Sequence, residues 1–197
     1  RDGEHGGWYV RLGTAHPWLT VLAVVGVLGT LAIPVSQIQL GLPDGGREPT
    51  GTTAHTTYTT VAEQFGPGIN GPIVAVTTLP EDQAPTDEAS LVKAQASIAS
   101  RLKDVEGVRS VVPFGASPDR ATLAFQVVPT TGPADPATAE TFHRVQFTAE
   151  SLERHDGIRL GLTGQTVANI EVSERLAAAL PSYLAVVVGL SIVILVL

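Results

Sequence analysis

The sequence predicts a membrane protein whose α+β domain stands between two membrane-crossing helices. Three observations carry that prediction. Trp18 to Val35, WLTVLAVVGVLGTLAIPV, holds no charged residue. A second uncharged run, Pro181 to Leu197, closes the chain. The stretch between them alternates between short β-branched runs and segments of helical period.

About 18 to 20 helical residues at 1.5 Å each cross the roughly 30 Å hydrocarbon core of a bilayer. Trp18–Val35 meets that length, and the expected span is 17–36. Arg11 and His16 stand just ahead of it as interface anchors, and Pro17 suits a first helical turn. A buried core helix does not need so long an uncharged run, and a signal peptide has a shorter apolar centre followed by a cleavage site. Thr20, Ala23, Gly26 and Thr30 fall roughly on one side of the wheel. Small residues there permit close helix approach in lipid. Pro34 sits in the last turn, where a kink costs little.

Both ends of the middle region then lie on one side of the membrane. The net charge is −7, and all but two of the 19 acidic residues and all but two of the 12 Lys+Arg lie between the runs. Residues 1–16 read as a cytoplasmic linker with the basic group nearest the membrane. The positive-inside bias therefore puts the central domain, 37–180, outside the cytoplasm. An acidic domain without a basic cluster argues against nucleic-acid binding. The absence of Cys excludes disulfides, thiolate zinc sites and Cys nucleophiles. With no Met, and with the last run (181–197) cut short as the start of a second span, a fragment of a longer protein is expected. The Ala, Gly, Val and Thr content points to a GC-rich bacterial genome.

Gln37 to Thr53 reads as an extended exit and then a turn-rich loop. Thr53–Phe65 has helical spacing at Ala54, Tyr58, Val61, Ala62 and Phe65, with Gly66 as its stop. Ile73–Thr77 is a buried strand after Gly71-Pro72. Leu79–Thr86 is loop. Asp87–Lys103 is a helix with Asp87 and Glu88 in its first turn, Arg101 and Lys103 in its last, and Leu91, Ile98, Leu102 and Val105 inward. Val108–Val112 and Ala121–Val127 are strands joined through the turn Gly115–Asp119. Pro136 opens a helix to about Arg154, with Phe142, Val145, Ala149 and Leu152 inward. Ile158–Leu162 is the fourth strand, and Thr166–Leu180 is a final helix running across Pro181 into the second span. The order β-α-β-β-α-β over 73–163 is the ferredoxin-like split βαβ arrangement. In the second span Ala185 and Gly189 form a small-xxx-small pair.

Chemical motifs fail on context. Gly66-Pro-Gly-Ile-Asn-Gly71 matches the dinucleotide pattern literally, but it follows a helix and opens a strand. No phosphate would meet a helix start there. Glu140-x-x-His143 has di-iron spacing but only one copy. His55, His155 and Asp156 have no companions at ligand or triad spacing. No Asp, Glu, His, Lys or Arg lies in either apolar run, so no intramembrane proton relay is expected here. No catalytic residue, metal or cofactor is predicted, and the chain is not read as an enzyme.

Three stretches are more specific than the fold. LGLPDGG at 40–46 leads to a Thr-rich helix ending AEQFGPGINGP and running into IVAV. VPTTGPADPAT occupies 128–138, and GQTVANIEVSERLAAALPSYLAVVVGLS occupies 164–191. In this order they resemble the MMPL family (mycobacterial membrane protein large) of the resistance-nodulation-division (RND) superfamily, with Glu171 where a typical member has Asp. The resemblance covers roughly Trp18 to Leu197. It implies a proton-driven exporter of lipids or hydrophobic compounds in a bacterial plasma membrane, built of two similar halves. The chain would be the seventh helix, the second porter domain and the start of the eighth. Its partners would be the bilayer, a lipid or hydrophobic substrate, and the remaining helices and first porter domain of the same transporter. Proton-relay acids would lie in later helices. The competing readings are the sensor domain of a two-span receptor and a protein-export accessory subunit of the same superfamily.

Overall fold

The computed structural model describes residues 44–196 and, ahead of them, Trp18, Leu22, Gly26, Val27, Gly29 and Thr30. These six have helical backbone, and the Thr30 hydroxyl donates to the Gly26 carbonyl at 2.8 Å. The rest of the expected 17–36 span, the linker 1–16 and the extended exit to Pro43 lie outside the described residues. The chain divides into two compact units, Arg1–Gln39 and Leu40–Leu197.

The second unit is built from α1 (Thr53–Phe65), β1 (Ile73–Thr78), α2 (Glu88–Lys103), β2 (Val108–Ala116), β3 (Thr122–Pro129), α3 (Pro136–Asp156), β4 (Arg159–Thr163) and α4 (Gln165–Val196). Short 3-10 turns occupy Gly45–Arg47, Pro67–Asn70 and Glu81–Gln83. The four strands form one sheet in the order β2-β3-β1-β4, and every neighbouring pair is antiparallel. Each β-α-β connection therefore spans two strands with a third inserted between them.

Period-two alternation sets the sheet's two faces. Ile73, Ala75 and Thr77 of β1 and Leu123, Phe125 and Val127 of β3 are fully buried. They pack with Leu91, Ile98 and Leu102 of α2 and Phe142, Val145 and Leu152 of α3 in one core. Full burial of each Ile, Leu, Val or Phe side chain among them stabilises by about 1.5–3 kcal/mol. Val167 and Ile170, in the first turns of α4, belong to the same core.

Local chemistry fixes the helix ends. The Thr52 hydroxyl accepts from the His55 N–H at the start of α1, and Gly66 at φ 97 ends it. Asp87 is the N-cap of α2 and not part of its first turn. Its carboxylate accepts from Ser90 N–H at 2.7 Å while the Ser90 hydroxyl accepts from Asp87 N–H at 3.1 Å, a reciprocal box. Asp135 caps α3 ahead of Pro136, and Gly157 in the left-handed region closes it.

Two details differ from the sequence reading. β2 runs on to Ala116, past Pro113, and the turn moves to Ser117–Arg120. β2 is an edge strand with register shifts between Val108 and Ser110 and between Pro113 and Gly115, and an edge bulge is where a strand tolerates proline. The α1 stripe is not core: Phe65 is 66% exposed, and Tyr58, Val61 and Ala62 are only half-buried. The last helix runs unbroken through Pro181, as the sequence reading expects.

Candidate functional site at the root of the apolar helix

α4 changes character along its length. Thr166, Val167 and Ile170 are buried in the sheet domain. From Glu171 onward the described side chains are exposed, with Ser173 half-buried. The last charged residue is Arg175. Leu176 to Val196 then spans about 31 Å of uncharged helix, enough to cross a bilayer core. Gln165–Ile194 qualifies as a membrane span by length and composition, and among the described residues its apolar window is uncovered.

The root of this helix is a junction of glycines, prolines and hydroxyls. The buried Thr166 hydroxyl donates to the Gly71 carbonyl at 2.9 Å. A Cβ at Gly71 would overlap Pro133 and press on that same hydroxyl. A Cβ at Gly68 would overlap the carbonyl of Pro129 and stand 3.1 Å from that of Thr131. Gly66 has both a left-handed backbone and the Arg109 guanidinium lying where a Cβ would point. The loop after β3 is held by Thr138, whose hydroxyl lies 2.7 Å from both the Thr131 hydroxyl and the Gly132 carbonyl. Tyr58 fills the adjacent side. Its ring lies against Gly45 and Gly46, its carbonyl accepts from the Asn70 amide at 3.0 Å, and its phenol donates to Asp44 at 3.3 Å. Burial first, and the Asp44 charge second, push the Tyr58 phenol above its ordinary range.

The glycine pattern at Gly66–Gly71 thus acts by close backbone approach. Its three glycines meet Arg109, the end of β3, and the start of α4. Four stretches distant in sequence converge here: 44–46, 58–71, 129–138 and 164–170. The other residues singled out from sequence are dispersed. Glu140 pairs with Arg144 at 3.1 Å, whereas His143 reaches across to Glu174 of α4 at 2.7 Å. His155 Nδ1 lies 2.9 Å from the Ser151 carbonyl, and Asp156 pairs with Arg101. His55 lies half-buried in α1, where its backbone N–H meets the Thr52 cap, and Glu171 is exposed on α4. Sequence reasoning missed Tyr58, Thr166 and Glu174. Only the repeated Gly-Pro pairs at 66–72 and 132–133 hinted that two loops pack on each other.

An antiparallel-sheet α+β domain continuing into a long, exposed apolar helix fits a membrane protein with a soluble domain. The chain belongs to the MMPL family, whose model matches residues 48–197. It is 32% identical over 188 residues to "Membrane protein YdfJ" of Bacillus subtilis (strain 168). That alignment covers 94% of this chain and 24% of the relative, so the chain spans about a quarter of that protein's length. Among solved structures it is similar to "Structural Genomics, protein YJCS", at 11% identity and a TM-score of 0.29 over 47% of this chain and 95% of that one.

Proposed function

We propose that the chain is the water-facing porter part of an RND-type exporter that uses the proton gradient to move lipids or other hydrophobic compounds. In this reading 1–16 is a cytoplasmic linker, 17–36 a first membrane helix, 37–180 an extracytoplasmic porter domain with a ferredoxin-like core at 73–163, and 181–197 the start of the next membrane helix. The strand order β2-β3-β1-β4, all antiparallel, supports the ferredoxin-like description. Membership of the MMPL family supports export. The substrate is handled outside the bacterial plasma membrane, with the remaining helices and the first porter domain as intramolecular partners.

The observation that carries the proposal is the rooting of α4. One uninterrupted helix begins in the domain core at Thr166–Ile170 and leaves as an apolar rod. A movement of the domain is thereby coupled to a movement of a membrane helix, as alternating access requires. The test is export of a fluorescent hydrophobic dye from proteoliposomes holding the full-length protein under an imposed pH gradient. Gradient-dependent export that is lost on deleting residues 40–165, with the protein still membrane-inserted, is the expected outcome. Export that survives the deletion counts against a porter role.

A further inference from the structure

We propose that His143 and Glu174 form a proton-sensitive strut that sets the angle between the sheet domain and α4. The inference goes beyond the export reading and requires only the geometry of this chain. Burial of α4 ends at Ile170. Four residues further on, Glu174 Oε1 lies 2.7 Å from His143 Nε2 on α3, which joins the rod to the domain beyond its buried root. Both side chains are about half exposed, so protons reach them from bulk water. The imidazole also abuts the core ring of Phe142, with ring centroids 5.1 Å apart, which steadies its position.

On α3, Glu140 and Arg144 pair with each other, and Arg144 also donates to the Glu106 carbonyl at 3.3 Å. On α4, Glu171 and Arg175 flank Glu174 in sequence. Histidine is the side chain that changes charge across the physiological range. With His143 protonated the contact is an ion pair as well as a hydrogen bond, whereas a neutral ring leaves only an N–H donating to the carboxylate. The strut is therefore tighter with the imidazole protonated than with it neutral.

Leverage makes the contact matter. Glu174 lies about 6 Å along the helix from Ile170, and Val196 about 39 Å from it. About 1 Å of play at the strut becomes roughly 6–7 Å at the far end of a rigid helix.

The experiment uses full-length protein in nanodiscs, on a cysteine-free background, with nitroxides at Glu150→Cys on α3 and Ala178→Cys on α4. Electron–electron distance distributions are recorded near pH 5.5 and pH 8, either side of the histidine range. The otherwise unaltered protein should give a narrow distribution in acid that broadens or shifts by several ångströms in base. His143→Lys, which keeps the charge, should stay narrow at both. His143→Gln and Glu174→Gln should be broad at both. An unaltered protein with the same distribution at the two pH values, or a pH response that survives His143→Gln, overturns the strut. Loss of dye export with the distance response intact would remove the exporter reading and leave the strut standing.

Discussion

Replacing Gly68 by Ala tests whether the glycine pattern is a packing device. The added Cβ would overlap the backbone carbonyl of Pro129 and stand 3.1 Å from the Thr131 carbonyl. Neither neighbour is the tip of a flexible side chain. Pro129 is fully buried at the end of β3, and the next residue is pinned by a 2.8 Å bond from Thr130 N–H to the Gly107 carbonyl. Relief therefore needs a backbone shift, and overpacking of this kind costs about 1–3 kcal/mol. Gly68 is not at positive φ, so Ala pays no conformational penalty and recovers a few tenths of a kcal/mol through the unfolded chain. A net loss near 2 kcal/mol corresponds to about 30-fold faster amide exchange in β1 and β3 if they open together with the junction. Gly132→Ala is the matched control. Its nearest neighbours, the Tyr58 phenol at 3.7 Å and Pro67 Cβ at 3.8 Å, are at ordinary contact distance. It should change exchange by less than about threefold, the range of a neutral surface change. Hydrogen–deuterium exchange on the full-length protein reads both. Unchanged exchange in Gly68→Ala, or equal acceleration in Gly132→Ala, would refute the reasoning.

Three further outcomes follow from the same structure. Thr77 is fully buried, and its hydroxyl has no hydrogen-bond partner among the described residues, so Thr77→Val should stabilise the sheet by about 1 kcal/mol and slow exchange in β1; faster exchange would mean the hydroxyl has a partner. Leu102 is fully buried between α2 and the sheet, so Leu102→Ala should cost about 2–5 kcal/mol, and a loss of protection smaller than about tenfold would contradict that packing. The Ser90 N–H, then the Ser90 hydroxyl, hold the Asp87 carboxyl below the usual aspartate range. A lowered native value means the cap stabilises α2 above the ordinary aspartate range and is lost as pH falls through the lowered one. Exchange in the first turn of α2, corrected for intrinsic rate, should therefore quicken on acidification, and Asp87→Asn should abolish that dependence. A flat profile in the unaltered protein would dispose of the cap's titration.

How much of this was legible depended on how local the cause is. α2 and α3 fell within a residue or two of their expected bounds because an acidic cap, a helical apolar period and a closing glycine all lie within the segment itself. β1 and β4 were legible for a similar reason, as β-branched or alternating runs bounded by Gly and Pro. β2 was underestimated because Pro113 and Gly115 read as strand breakers. Their tolerance depends on β2 being at the sheet's edge, a fact about its neighbours. The α1 stripe had helical period but no core to meet, since period reports amphipathicity and not a partner. The junction was half legible. The spacing of Gly66, Gly68 and Gly71 is visible, but the carbonyl that makes Gly68 necessary lies some sixty residues further along the chain. Glu140 and His143 looked like one pair by spacing, yet each takes a different partner, and His143's partner depends on where α4 crosses α3.

The shortness of the connection between core and rod bears on how force passes through this domain. Among the described side chains Ile170 is the last buried one of α4, and the uncharged run begins at Leu176, about 9 Å further along the helix. Glu171, Glu174 and Arg175 fill that interval, so a polar collar separates the domain core from the apolar surface. With the run in lipid, the base of the sheet domain stands close to the headgroups. A helical link of under two turns has no slack to absorb relative rotation, so a tilt of the domain must appear as a tilt or bend of α4. Pro181 sets where a bend costs least. It has no N–H to give to the Ala177 carbonyl, and the freed carbonyl must find another donor once water is excluded. It stands five residues into the uncharged run, where headgroups and water still supply donors. The buried root resists bending through the Thr166–Gly71 bond and the core contacts of Val167 and Ile170, and the collar resists it through His143 and Glu174. Beyond the buried root and the His143–Glu174 contact, Pro181 is the position where the missing N–H makes a bend of α4 least costly.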